Sequence, residues 1–594
     1  MIFINKFVTS EKSERHNKKE GIFKKMAENS VIIYYLTLFS ASLYNWFANI
    51  FSERFFRQKR NEKSKNIGFF QKVFNYIQTN ELFAKAKKLF ANTIEGSGIV
   101  SIYRRLVHGF LCASVRSVAV FVFSFGLYTL AAYVIKIYAF AYHEHGQANA
   151  ICIALCILVS IPMFFSKKSM AEKISESAIC SFVLFKVLGI NPLILKSKFK
   201  PRPHGAVAIV LGAIFGVLGF FVPPVEILKF VAIAIFVAIV IYSPESGLLT
   251  ALMVMPLASV ELLEKMLVLT LGSYIFKLLR GKRNINFSTA DTFVLLFCAA
   301  ILTIVEHENI LTILMIFAAY FLVVNQIKSE KLLKNSFTAI SIGLFVNMLL
   351  LAAKTILARF GILSKLNIET NILSFFANDE YLILISISVA LMLFSMAEKH
   401  TKKMFAFVFI LLTLFNALFS MSYAIWCGVL IASFVYFVFK TAKIFNVILA
   451  FTIAISASLL PLYQFSIYNE ILPISFPNLI ASENVAVLLF GGAKIGPNAS
   501  FFQFILSSGG LFVLIIFVIA VVLIIMRVLM AINISRTPSV RIMCGAFLSI
   551  IAIFIYVGFL RNSMGNEKMM IIFWTFTGMT VCCKDVFNRA YEYE

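Results

Sequence analysis

Two histidines flank a carboxylate at His143-Glu144-His145. Imidazole and carboxylate are metal-site donors, but two His at i and i+2 with no third ligand read as a polar loop. The nine cysteines stand at 112, 152, 156, 180, 298, 427, 544, 582 and 583, in or beside apolar segments. None belongs to a zinc-type CxxC set, and they read as small packing residues, with no disulfide and no metal. Gly212 and Gly216 have GxxxG spacing and, with Gly219, read as a helix-packing surface. Lys136 and Lys229 sit near the ends of apolar runs and read as snorkelling cations. The chain carries no phosphate-cradling glycine loop, no nucleotide motif and no nucleophile elbow. An ATP-driven machine therefore has no support.

The elements that must position any chemistry follow from composition. The 594 residues are 60% apolar and only 14% charged, against about 45–50% and about 25% in ordinary globular chains. Mean hydropathy is +0.89. A bilayer core takes about 20 apolar residues per helix, and the chain holds many such runs. This excludes a soluble enzyme, a secreted disulfide scaffold and a disordered protein. The expected fold is all-α: a polytopic membrane helix bundle of about 14–16 transmembrane helices, preceded by a basic amphipathic region.

Charge divides the chain further. Residues 1–117 carry 20 Lys/Arg and 8 Asp/Glu, so about half of the +25 net charge precedes the main membrane region. A basic flank of this kind fits a cytoplasmic segment on anionic lipid headgroups, and no nucleic acid is expected as a partner. Within it, residues 31–51 are apolar and aromatic with basic flanks, and are expected to lie in the interface. No cleavable signal peptide is visible, since the first 29 residues are polar and basic. Spanning runs are expected at 118–140, 149–165, 205–221, 225–242, 246–262, 265–279, 290–306, 309–327, 337–358, 381–397, 404–420, 425–440, 444–462, 503–528, 540–560 and 569–583. The stretch 178–195 contains Lys186, Gly189 and Pro192 and reads as a half-helix or interfacial helix. Basic loops such as Arg280-Gly281-Lys282-Arg283 and Lys399 to Lys403 alternate with loops poor in Lys/Arg. That alternation puts both ends in the cytoplasm. It gives a flank at 1–117, spans at 118–280, a second transmembrane region at 281–583 and a cytoplasmic tail at 584–594. Two long outer loops interrupt the second region, at 359–380 and 463–501. Loops of that length between tightly connected helices are usually functional or disordered. The second contains Pro473, Pro477, Gly491, Gly492, Gly496 and Pro497, and is expected to fold against the membrane surface.

Four features of the last part of the chain resemble the O-antigen ligase/polymerase superfamily. Phe419-Ser420-Met421-Ser422-Tyr423-Ala424-Ile425-Trp426-Cys427-Gly428 is similar to the family's Ser-Arg turn and the small-residue helix after it. A long outer loop follows the next helix. Pro497-Asn498-Ala499-Ser500-Phe501-Phe502-Gln503-Phe504-Ile505-Leu506-Ser507-Ser508-Gly509-Gly510 resembles the family's His-Asn, Leu-Gln and Gly stretch, and Phe573-Trp574 opens a final helix after a short outer loop. The segment 374–384 also resembles the family's Asn-Pro-Asn region, with those residues partly lost. The resemblance covers about 280–583. It departs from the pattern where Tyr423 stands for the family's Arg, Asn498 for its His and Ala499 for its Asn; residues 401–594 contain no His.

The resemblance implies a bacterial cytoplasmic-membrane protein transferring or polymerising saccharide carried on undecaprenyl diphosphate at the outer face. It would be a metal-independent glycosyltransferase or ligase with no cofactor. The leaving diphosphate needs cations, for which the expected outer face offers Lys354, Arg359, Lys365, Lys494, Arg561 and Lys568. Ser422, Tyr423 and Gln503 fall on family motifs and join the substrate-binding candidates. An acceptor hydroxyl wants a base, and Glu470, Glu483, Asp379 and Glu380 are the carboxylates of the two loops. Asn498, Glu470 and Glu483 are the catalytic candidates. Each of these cations and carboxylates also has a plain reading, as a snorkelling side chain or a solvated loop charge. Two other functions stay open: a transporter or flippase of an amphiphile, which would show an internal repeat and broken or ionisable helices near mid-membrane, and a catalytically silent relative acting as a membrane partner. Sugar, acceptor and oligomeric state are not encoded legibly.

Overall fold

The computed structural model describes residues 105, 107–140, 146–190, 205–279, 285, 288–304, 310–359, 381–420, 422–440, 489–491, 500–534, 538–560 and 567–592. Most of these are helical and none forms a strand, with one isolated antiparallel bridge, Ser114 to Ser169. The protein is an all-α polytopic bundle. The basic region 1–104, the run 444–462 and nearly all of both long outer loops lie outside the described residues.

The helices are α1 Val115–Phe140, α2 Gly146–Met163, α3 Met170–Glu176, α4 Ala178–Ser181, α5 Gly205–Leu218, α6 Pro224–Tyr242, α7 Pro244–Val254, α8 Val260–Leu279 and α9 Thr289–Leu302. Then follow α10 Ile310–Gln326, α11 Glu330–Arg359, α12 Leu382–Met396, α13 His400–Phe419, α14 Tyr423–Lys440, α15 Phe501–Ile534, α16 Pro538–Leu560 and α17 Glu567–Glu592. Among the described residues, five helices carry stretches long and apolar enough to cross a bilayer by length and composition: α1, α11, α13, α15 and α16. Shorter apolar helices fill the space between them.

The expected runs 246–262 and 503–528 are each broken, the second at Gly510. The 246–262 run is not one helix. α7 stops at Val254, the chain turns through Met255–Ser259, and α8 starts at Val260. Pro256 has no backbone N–H to donate to the Leu252 carbonyl, so the helix cannot continue through it. α7 is therefore only 11 residues, and most of it is buried. The described part of the 178–195 stretch, residues 178–190, is α4 followed by a π-helix, Phe182–Val187, ending at Gly189 with φ of 67°. Leu188 there accepts a hydrogen bond from the Ser246 hydroxyl at 2.8 Å, so this broken segment braces α7.

Lipid tails are as apolar as leucine, so helices in a membrane associate by packing and hydrogen bonds. Both are visible. A Cβ on Gly212 would stand 2.7 Å from the Ser124 Cβ, and one on Gly216 would stand 2.4 Å from the Tyr128 Cβ. The expected GxxxG surface is thus the seam that brings α5 against α1. Elsewhere Ser388 and Ser549 share a 2.7 Å hydrogen bond, the Ser549 hydroxyl also reaches the Ala432 carbonyl at 2.6 Å, and Tyr436 donates to the Leu391 carbonyl at 3.0 Å. These tie α12, α14 and α16 together. The centre of the bundle is aromatic. Trp574 is fully buried, with the rings of Phe297, Phe317, Tyr320 and Phe573 within 6 Å of it.

Candidate functional site

The end of the bundle expected from the charge pattern to face outward is called the outer end below. Its main feature is a break in α15. Gly510 has φ 71° and ψ −177° inside what is otherwise one helix. Only glycine takes that φ without strain. The second leg, after Gly510, runs 24 residues, about 36 Å at 1.5 Å per residue, which spans a bilayer by itself. The first leg, Phe501–Gly509, folds back on the second. Phe501 and Phe502 lie 5.3 Å and 6.2 Å from Phe517, and Phe502 stacks on Phe559 at 4.4 Å. Gly558 lets the leg close on α16, since its Cβ position is 3.2 Å from the Phe502 ring.

The last part of the long loop seats on this break. A Cβ on Gly510 would stand 2.3 Å from the Leu489 carbonyl oxygen, and one on Gly491 (φ 82°) would stand 2.2 Å from that of Ser508. Two backbones pass each other where neither can carry a side chain. At 489–491 the chain is therefore held against the bundle itself, while most of the 463–501 loop lies outside the described residues.

Gln503 serves the start of the first leg. Its Oε1 accepts from the Ser500 N–H at 2.8 Å, while its own N–H donates to the Ser500 hydroxyl at 3.3 Å. This is a capping box, so the Ser-to-Gln spacing fixes where the loop becomes helix. The Ser420–Ser422 turn joins α13 to α14. Ser420 donates to the Ala417 carbonyl at 2.7 Å, and Ser422 is half-buried. Tyr556 of α16 donates to the Ala424 carbonyl at 3.1 Å. α16 therefore links the Ser422 turn to the Gln503 leg, and these two motifs meet at one end of the bundle. Lys354 is half-buried near the end of α11, a helix tied to α13 by the Asn416 amide, which donates to the Met348 carbonyl at 2.8 Å. Arg359 is the last residue of α11, and Tyr423 the first of α14.

Lys568 is not an open cation. It is 2% exposed and donates to the Pro256 carbonyl at 3.0 Å, in the turn between α7 and α8. That carbonyl follows a helix end and lacks a helical partner. Beside it, Glu567 titrates above the ordinary carboxylate range, first because it is partly buried and second because Glu264 lies near. Phe573-Trp574 does not open the last helix. α17 begins at Glu567, and Trp574 lies two turns in, within the core. Asn498, Glu470, Glu483, Asp379, Glu380, Lys365, Lys494, Arg561 and the His143-Glu144-His145 triplet lie outside the described residues.

A second polar cluster occupies the opposite end. Asp291 is 1% exposed and accepts from the Tyr320 hydroxyl and the Ser288 N–H, both at 2.5 Å. Arg527 of α15 lies close enough to act on it electrostatically. The sequence offers one signal for this cluster, Arg527 inside the long apolar run of α15, since an ionisable residue there is a candidate; Asp291 stands at the start of α9 as part of the Ser288 capping box and gives no such signal. Comparison of the chain with family models, curated proteins and solved structures finds no match.

Proposed function

We propose that the protein moves saccharide from a polyprenyl-diphosphate carrier to an acceptor at the outer face of a bacterial cytoplasmic membrane, both termini being cytoplasmic, as a divergent relative of the O-antigen ligase/polymerase superfamily. One observation carries this reading. The loop segment at 489–491 is built into the α15 break at Gly509-Gly510, the end of the motif on which the resemblance rests. A surface loop docked by backbone interpenetration gives a fixed platform for a reaction just outside the bilayer.

The transfer is a substitution at the anomeric carbon. The acceptor oxygen bonds to that carbon, the carbon–oxygen bond to the diphosphate breaks, and the acceptor proton passes to a base. Arg561 is the favoured diphosphate ligand, because a guanidinium offers a planar fork to phosphate oxygens. Lys494, Lys354 and Arg359 are supporting cations. Glu470 or Glu483 would take the proton. Asn498 cannot, because an amide does not accept a proton at neutral pH, and it would orient a hydroxyl. With Lys568 bound to Pro256, it is a structural cation and not a carrier ligand.

The test is surface glycan, or turnover of lipid-linked oligosaccharide, in cells carrying each variant at matched abundance. Arg561→Ala should abolish transfer, and Arg561→Lys should impair it by removing the bidentate geometry. Full activity in Arg561→Ala would remove the assignment. A transporter or flippase is the second reading, favoured by the α15 break and by the buried Asp291 and Tyr320 with half-buried Arg527 near them, since discontinuous helices and intramembrane ionisable residues mark transport paths. Lipid movement across proteoliposomes without glycan transfer would support it. Neither activity from folded protein would leave the silent-partner reading.

A further inference from the structure

Arg116, Val120, Phe123 and Leu127 recur at i, i+4, i+7 and i+11 along α1, so they share one face. Beyond Arg116 this face walls a groove of about 410 Å³, closed by Phe164 at the end of α2 and Ile209 of α5. The Phe123 and Phe164 rings meet edge to face at 5.7 Å. Leu127 and Ile209 are each 48% exposed, so the groove opens sideways, toward lipid.

Its mouth is positively charged, and the fold holds the charges there. Val115 N–H donates to the Lys168 carbonyl and Met170 N–H to the Ala113 carbonyl, both at 2.9 Å. This pins the segment after α2 against the start of α1, so Lys167 and Lys168 stand beside Arg116. Glu176 pairs with Lys168. Arg116 and Lys167 are exposed and meet no carboxylate among the described residues.

We propose that this groove is a binding site for one anionic phospholipid. Its acyl chain lies along Val120, Phe123 and Leu127, and its phosphate rests on Arg116 and Lys167. From Arg116 to Leu127 the helix rises about 16 Å, roughly half of a ~30 Å hydrocarbon core. That is the reach of one acyl chain from headgroup to midplane. An apolar slot alone would take any lipid tail. The cations at one end select a phosphate without a compensating amine, through charge-assisted hydrogen bonds. The site lies at the opposite end from the proposed transfer site and rests only on the membrane reading, so the lipid would brace α1, α2 and α5 and take no part in the reaction.

The test uses the full chain in phosphatidylcholine nanodiscs with a phosphatidylglycerol bearing a diazirine on its acyl chain. Adducts should map to α1 between residues 120 and 128 and to Phe164. Unlabelled phosphatidylglycerol should displace them roughly tenfold better than phosphatidylcholine of the same chains, and glycerol phosphate should not displace them. The double variant R116Q/K167Q should lose that preference. L127W, which fills the groove at a lipid-exposed position, should lose the adducts while keeping its thermal midpoint. Even labelling of other exposed faces, such as those at Val268 and Phe405, would overturn the proposal. So would equal displacement by phosphatidylcholine, displacement by glycerol phosphate alone, or an unchanged preference in R116Q/K167Q.

Discussion

At the residue scale, the structure separates cations that hold the fold from those left to hold a substrate. A buried ammonium is tolerated only where it is paired or hydrogen-bonded, and Lys568 has the Pro256 carbonyl. An amine-labelling reagent applied to the folded protein should therefore modify half-buried Lys354 and spare Lys568. Equal labelling of both would return Lys568 to the candidate ligands. Glu567 makes a pH prediction. Its raised pKa means that the folded state binds its proton more tightly than the unfolded chain does. The stability linked to that proton is fully present below the unfolded carboxylate range and is lost as pH rises through the folded value. Removing the charge should then help at high pH only. Glu567→Gln should raise the thermal midpoint at pH 8 and have little effect at pH 4. Its position in the first turn of α17 favours a negative charge and reduces the gain. A midpoint lowered at pH 8 would show that the helix end outweighs burial and Glu264.

At the element scale, the sequence made most helices legible and hid their breaks. Apolar runs mark where a helix can exist, and most of each expected run within the described residues is helical. Breaks depend on single residues whose effect is tertiary. Pro256 ended α7 half way, and Gly510 turned α15 back on itself, although both lie inside or beside uniformly apolar stretches. The GxxxG seam was legible because its spacing alone puts small residues on one face. Phe573-Trp574 lies two turns inside the last helix and does not open it, because the helix begins in the polar loop at Glu567, before the apolar run. Trp574→Ala would remove four ring contacts from the bundle centre, and large aromatic truncations in cores cost about 3–5 kcal/mol. A clear fall in thermal midpoint is expected, with insertion unchanged. A midpoint equal to wild type would mean that the aromatic cluster is not the packing centre.

At the scale of the whole molecule, the account needs Gly510 at the outer end. Alternating basic loops are the warrant, and cysteine labelling of intact cells tests it. With native cysteines removed, a cysteine at Ser482 should react and one at Lys402 should not. The reverse would invert the bundle and put the Asp291 cluster outside. Of the candidate site, the motif residues could be picked out from sequence, but the Ser500 to Gln503 cap and the Gly510 break could not, because they show only where loop and helix pack together. Which charges face a substrate could not be read, because burial decides it and burial is set by helices far away in the chain, as Lys568 and Pro256 illustrate.

The central claim is that a loop seated on the α15 break forms the platform for glycan transfer. It is tested most directly by surface glycan in cells carrying Gly510→Ala or Gly272→Ala, at matched abundance and unchanged native size. At Gly510 a methyl group meets both a positive φ and the Leu489 carbonyl at 2.3 Å, whereas at Gly272 it meets nothing within 4 Å. The account predicts that Gly510→Ala loses surface glycan and Gly272→Ala keeps it. Full surface glycan in Gly510→Ala would contradict the claim.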